Sequence, residues 1–298
     1  MGVVMRMILF FEPLFKEKIW GGNRLKTTFG FNTPSEKTGE CWGISAHDEG
    51  TNIVRNGPFM GRTLKSLWEE EKQLFGHKQA HAFPILVKII DADDDLSIQV
   101  HPDDRQAEKL GSYGKSECWY ILDAQGDTDI IIGHDAKTID ELKAAVESGR
   151  VLDVVNRHKI NKGDFFYIGA GSLHAIRKGT LLLEVQQSSD ITYRFYDYDR
   201  LENGKPRPLH LAEALSVVKI PDNKPEKTMD ETYFTFAVWN IVDEKSATAH
   251  RHGDYLVVLS GSGQIDDSPL EKGDFLMVSG DSRYRVEGTL ELARITMK

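Results

Sequence analysis

One seven-residue pattern occurs twice, in the same place within two β-rich stretches. Gly163-Asp-Phe-Phe-Tyr-Ile-Gly169 returns as Gly273-Asp-Phe-Leu-Met-Val-Ser279, and eleven residues after each leading glycine stand His174 and Tyr284. Ala249-His-Arg-His-Gly-Asp254 then leads into the apolar run Tyr255-Leu-Val-Val-Leu259, a loose match to the upstream part of the first copy. A repeat of this kind implies two similar β-modules in one polypeptide. Many short strands separated by turns argue for antiparallel barrels or jelly rolls rather than βαβ units. Tyr284 in the place of His174 predicts that only the first module holds a metal, which makes the His250/His252 pair part of a degenerate copy.

The residues that carry chemistry lie in the first module. In Leu96-Ser-Ile-Gln-Val-His-Pro-Asp103, Gln99 and His101 are two apart in a strand-like run, so their side chains leave one face together with Ser97. Glu117 lies in the alternating run Lys115-Ser-Glu-Cys-Trp-Tyr-Ile-Leu122, with Lys115 on its face. His174 closes Gly169-Ala-Gly-Ser-Leu-His. Any one of these histidines alone reads as a packing or surface residue. Gln, His, Glu and His converging from successive strands make a site of two imidazoles and two oxygen donors, suited to zinc or a similar divalent ion. Asp91, Asp93 and Asp95 do not make a calcium loop, because Leu96 and Pro102 stand where glycine and glutamate are needed; a solvated turn is expected there. Gly169-Ala-Gly lacks the third glycine of a dinucleotide fingerprint.

The charge balance narrows the partners. Lys+Arg 37 against Asp+Glu 46 gives a formal net charge of −9. Such a chain is a poor partner for nucleic acid or an anionic membrane, and a phosphorylated ligand would need a local basic pocket. The two cysteines, Cys41 and Cys118, sit beside tryptophans without a C-x-x-C spacing, so free thiols in a reducing cytoplasm are expected. The apolar opening Met7–Phe11 is too short for a signal segment, and Arg6 rules out a myristoylation motif. Pro84 and Lys88 break the longest apolar run, so no membrane span is expected.

Short β-type runs fill the chain from about Met5 to Val54. Thr63 precedes a helical stretch with Leu64, Leu67 and Trp68 on one face, ended by Gly76. Asp103 with Gln106, and Thr138 with Glu141, are capping-box matches, closed by Gly111 and Gly149. Pro206 and Pro208 introduce a last helix through Leu211, Ala214 and Leu215. The polar stretch Pro221–Thr228 is the expected linker. The expected units are residues 1–220, with a helical insertion at about 134–158, and residues 229–298.

The chain resembles the cupin superfamily, and more narrowly the short bacterial type of class I mannose-6-phosphate isomerase. The resemblance runs from Phe10-Phe-Glu-Pro-Leu-Phe-Lys-Glu-Lys-Ile-Trp-Gly-Gly22 through Gly39-Glu-Cys-Trp-Gly43 and the Gln-x-His-Pro-Asp motif. It continues through Lys115-Ser-Glu117 and Leu173-His-Ala175 to Thr192-Tyr-Arg-Phe-Tyr-Asp197. It implies a mainly β fold of two cupin-like jelly-roll modules and one Zn2+ per chain on Gln99, His101, Glu117 and His174. It also implies a catalytic Arg194 and a pocket position for Glu40. The implied reaction interconverts mannose-6-phosphate and fructose-6-phosphate through a cis-enediol, with Lys115, Ser97 or another lysine on the phosphate. From the residues alone, Arg194 could equally be a strand residue salt-bridged to Asp197. The base is left open between a water activated at the metal and a Glu or His side chain. An isomerase or epimerase of another sugar phosphate and a non-catalytic sugar-binding cupin are the rival readings. A monomer or a homodimer is expected.

Overall fold

The computed structural model describes residues 6–222, 225, 229–230 and 232–298. Its middle layer is a six-stranded antiparallel sheet in the order Phe165–Ile168, Glu117–Ala124, Thr180–Gln187, Ile85–Asp91, Thr38–Ile44, Leu14–Gly22. Every residue of Thr38–Ile44, Ile85–Asp91 and Thr180–Gln187 is buried. A strand covered on both faces tends toward a continuous apolar run, and residues 85–90 and 181–185 read so apart from Lys88 and Glu184.

Strand alternation sorts their side chains to two interiors. Ile85, Val87, Ile89, Leu181, Leu183, Val185, Cys41 and Cys118 pack against Leu9, Phe11, Tyr255, Val257, Phe275 and Ile295 of the seven-stranded sheet. That sheet runs Phe234–Thr248, Arg283–Met297, Asp254–Ile265, Phe275–Val278, Ile8–Glu12, Ile53–Val54, with Ser268–Glu271 beside Asp254–Ile265. On the opposite face of the middle sheet, Ile90, Trp119, Ile121 and Leu182 meet Ile130 and Ile132 of a five-stranded sheet. Its order is Val155–Lys159, Asp129–His134, His174–Ala175, Ile98–Val100, Tyr193–Tyr196. The helices Ile139–Glu147 and Leu211–Val217 cover its outer side through Leu142 and Ala214 against Ile98, Val100, Ile131 and Phe195.

This is the expected mainly β, cupin-like fold. The division into residues 1–220 and 229–298 stays a proposal about sequence units, because the sheets do not follow it: Ile8–Glu12 pairs with Phe275–Val278. Of the linker Pro221–Thr228, only Pro221, Asp222 and Pro225 lie within the described residues. Thr63 caps the helix Leu64–Glu70, and Asp103 with Gln106 closes a reciprocal capping box. Thr138 caps Ile139–Glu147, but Glu141 reaches back to the N–H of Lys137 instead of completing a box. The solvated turn forms as an exposed bend at Asp93 and Asp94, but Asp91 is not part of it: it is buried at a strand end, 2.6 Å from Arg24 Nε, and neutralises that guanidinium. Among the described residues no helix is long and apolar enough to cross a membrane.

Gly43 marks a close approach of the middle and seven-stranded sheets, since a Cβ there would lie 2.0 Å from the ring of the fully buried Phe275. Gly43→Ala should therefore destabilise the protein by about 1–3 kcal/mol through overpacking, read as a lowered denaturation midpoint.

Candidate active site

Cross-strand register assembles the site from two facing sheets. On the middle sheet Trp42 pairs with Lys88, Lys88 with Glu184, and Glu184 with Trp119. On the five-stranded sheet His174 pairs with Gln99, and Gln99 with Arg194. Trp42, Lys88 and Glu184 of the first row and Gln99 and Arg194 of the second line one cavity, which also takes in Lys18, Glu40, Ser97 and Lys115. Glu117 leaves the same face as Trp119, whose indole N–H donates to it at 3.0 Å.

Three proposed ligands meet. His101 Nε2 lies 3.2 Å from His174 Nε2 and 3.6 Å from Glu117 Oε2, while His174 Nε2 lies 3.5 Å from Glu117 Oε1. All three side chains are buried. His101 Nδ1 faces the Ile191 carbonyl at 2.8 Å and His174 Nδ1 faces the Ser172 carbonyl at 2.9 Å. A carbonyl only accepts, so each Nδ1 carries the hydrogen and each Nε2 turns a lone pair inward. Burial, then the neighbouring Lys115 ammonium, pushes His101 well below the usual imidazole range; burial also lowers His174. Burial alone would raise Glu117, but Lys115 and other nearby positive groups outweigh it and keep the carboxyl below its ordinary value.

Two neutral imidazole lone pairs and a carboxylate aimed at one point repel each other unless a cation stands among them. Tetrahedral ligands about 2.0–2.1 Å from a zinc ion would be about 3.3 Å apart, close to the spacings found. The donor set therefore fits a divalent metal. Gln99 sits next to it with Nε2 3.4 Å from His174 Nε2 and Oε1 accepting from Ser97 Oγ at 3.0 Å. Turning that amide over would bring its oxygen to the site, as a ligand requires. Lys115 is drawn in as well, with Nζ 2.9 Å from His101 Nε2 and 2.7 Å from Glu117 Oε2.

The cavity is locally basic although the chain is acidic: Lys18, Lys88, Lys115, Arg194 and Arg207 line it against Glu40, Glu184 and Asp190. Asp197 is held by Arg200 and Arg207, and among the described residues Arg194 makes no ion pair; its Nε is buried without a hydrogen-bond partner. Glu40 accepts from the indole of Trp42 at 2.7 Å and lies 3.4 Å from Lys18 Nζ.

The sequence profile of the phosphomannose isomerase type I catalytic domain matches residues 8–134. A mannose-6-phosphate isomerase of Bacillus subtilis (strain 168) is 42% identical over 95% of this chain and 96% of its own length. One from Streptococcus mutans is 40% identical over the same shares. The crystal structure of mannose 6-phosphate isomerase from Bacillus subtilis superposes with a TM-score of 0.91 at 41% identity, covering 97% of this chain and 99% of that one. The chain belongs to the type I phosphomannose isomerase family. It is an isomerase.

Sequence reasoning missed the Lys88–Glu184 pair, 3.1 Å apart at the centre of this isomerase's cavity. The available signal was one charge within each of two short apolar runs, Lys88 in residues 85–90 and Glu184 in residues 181–185. Burial works against the Lys88 ammonium, yet Glu184 and Glu40 outweigh it and raise its pKa.

The second module shows the same register with different contents. Leu256 pairs with Arg294 as Trp119 pairs with Glu184, and Asp254 pairs with Thr296 as Glu117 pairs with Gln186. Asp254 is fully buried, accepts from Tyr284 Oη at 2.6 Å and takes a two-pronged contact from Arg294 at 2.7 and 2.9 Å. His252 is turned away, onto the Phe75 carbonyl at 2.9 Å. Arg294→Met should strand the Asp254 charge and cost about 3–5 kcal/mol, measured by chemical denaturation.

Proposed function

We propose that this isomerase interconverts mannose-6-phosphate and fructose-6-phosphate by a zinc-dependent aldose–ketose isomerisation through a cis-enediol. The observation that carries this reading is the convergence of two inward Nε2 lone pairs and one carboxylate beside a basic cavity. The names of the relatives support the substrate. Gln99, His101, Glu117 and His174 are the proposed ligands, one Zn2+ per chain. Bound there, the ion supplies Lewis-acid polarisation of the sugar's carbonyl and hydroxyl oxygens.

The reaction moves a proton from C2 to C1 and shifts another between the two oxygens. Two wall groups can hold or move a proton: Glu184, whose Oε2 has no hydrogen-bond partner, and Lys88, at ion-pair distance from that oxygen but not aligned for a hydrogen bond. Arg194, with donors free on the cavity side of the Gln99 pairing, stabilises the developing negative charge. Lys115 and Ser97 are proposed substrate contacts. Lys115, at hydrogen-bond distance from Glu117, would be repelled by a divalent ion held on that carboxylate and would then be free to turn toward the sugar phosphate. Glu40 holds the Trp42 indole against the cavity as a further substrate-binding residue. Two buried free cysteines accord with a reducing cytoplasm.

The test is metal analysis with a coupled assay. The purified protein should carry about one zinc per chain and turn over mannose-6-phosphate. His101→Ala and Glu117→Ala should lose both metal and activity while retaining their β-type circular dichroism. Full metal occupancy in both variants would refute the site, and inactivity of the loaded protein on mannose-6-phosphate would favour another sugar phosphate.

Arg194→Ala should lower kcat by roughly 10²–10³, the loss expected for one donor that acts on transition-state charge. Its KM and metal content should hardly move, and Arg194→Lys should recover only part of the rate, lacking the planar fork. Steady-state kinetics with a thermal melt decides between this and a structural role.

A further inference from the structure

The start of the expected linker does not leave the catalytic module. It folds back across the loop that carries His174. Lys219 N–H donates to the Gly171 carbonyl at 2.8 Å, and His134 N–H donates to the Asp222 carbonyl at 2.6 Å, an isolated bridge onto the five-stranded sheet. Two glycines make room for this strap. At Gly133 (φ +83°) a Cβ would lie 2.0 Å from the Asp222 carbonyl oxygen, and at Gly171 (φ +85°) a Cβ would lie 2.9 Å from that of Val217. Both positive φ values and both close approaches favour glycine.

The strap ends on one peptide group. Asp222, only 6% exposed, accepts from the N–H of Leu173 at 2.9 Å through Oδ2. The carbonyl of that same peptide belongs to Ser172, and it accepts from His174 Nδ1 at 2.9 Å. A peptide unit is planar and stiff, so a carboxylate gripping its N–H fixes where its carbonyl points. The negative charge also polarises the peptide and makes the carbonyl a stronger acceptor. Metal-bound histidines commonly hand their second ring N–H to a carboxylate or a carbonyl, which sets tautomer and aim.

Resting on the reading of His174 as a metal ligand, we propose that Asp222 is a positioning residue for the metal. It acts through the Ser172–Leu173 peptide to hold His174 with Nε2 free and aimed at His101 and Glu117. The module junction is thereby part of the metal site's support, and no atom of Asp222 touches the ion.

The test uses the full chain stripped of metal, titrated with Co2+ against a competing chelator and read by the cobalt visible bands, with melts of the metal-free forms. Asp222→Ala should weaken cobalt binding by roughly 10–100-fold while saturating metal restores most of kcat. Asp222→Asn, which keeps an acceptor oxygen without the charge, should lose a smaller part of that affinity and fold like the parent. A parent chain that binds no cobalt would overturn the metal reading, and the role of Asp222 with it. Parent binding matched by both variants would overturn the role of Asp222 alone. Should the alanine variant fail to fold, an asparagine variant binding as tightly as the parent does the same.

Discussion

The charged row on the middle sheet is the constraint around which the rest is arranged. Lys88 and Glu184 stand side by side on strands whose every residue is buried. Taking either charge out of water alone costs several kcal/mol, and an isolated group would neutralise instead. Here each is the other's partner at 3.1 Å, and Glu184 with Glu40 outweighs burial and raises the Lys88 pKa. The arrangement requires cover on both faces. The seven-stranded sheet closes the apolar face, and the five-stranded sheet closes the polar one except for the cavity between them. The same face that is costly to bury is the one that presents its charges to the cavity, where partial burial strengthens them.

Period-two alternation made the site half legible. It placed Ser97, Gln99 and His101 on one face, and Ser97 and Gln99 do line the cavity while Ile98 and Val100 point to the helices. It could not place Lys88. In Phe83-Pro-Ile-Leu-Val-Lys-Ile-Ile90 neither face is polar, so periodicity assigns no inside or outside. Glu184 is hidden the same way within Thr180–Gln187. Only the register across strands reveals that the two charges meet, and register depends on long-range pairing that no local pattern encodes. Ile8–Glu12 shows this on a larger scale: its partner Phe275–Val278 lies at the other end of the chain, so a boundary drawn from composition cannot follow the sheets. Asp91 failed differently. As the first of a run of polar residues it looked solvated, whereas Arg24, far upstream, makes burial tolerable there.

The two modules apply one register to opposite electrostatic problems. Around Glu117 the first module sets two imidazole lone pairs beside the Lys115 ammonium and the Trp119 indole N–H, so acceptors converge where a divalent cation would fit. Around Asp254 the second sets a phenol O–H and a guanidinium, so the carboxylate meets donors and its charge is balanced from within. Arg294 occupies the strand place of Glu184, and Tyr284 that of His174 in the repeat. A guanidinium tethered by its own backbone cannot dissociate, needs no loading and leaves no coordination position for a ligand. A module so filled is suited to hold a wall in place, and its Leu256 packs in a buried apolar cluster at the register place of Trp119. Tyr284 and Arg294 put donors where the first module has His174 and Glu184, so the second carboxylate is balanced within its own module.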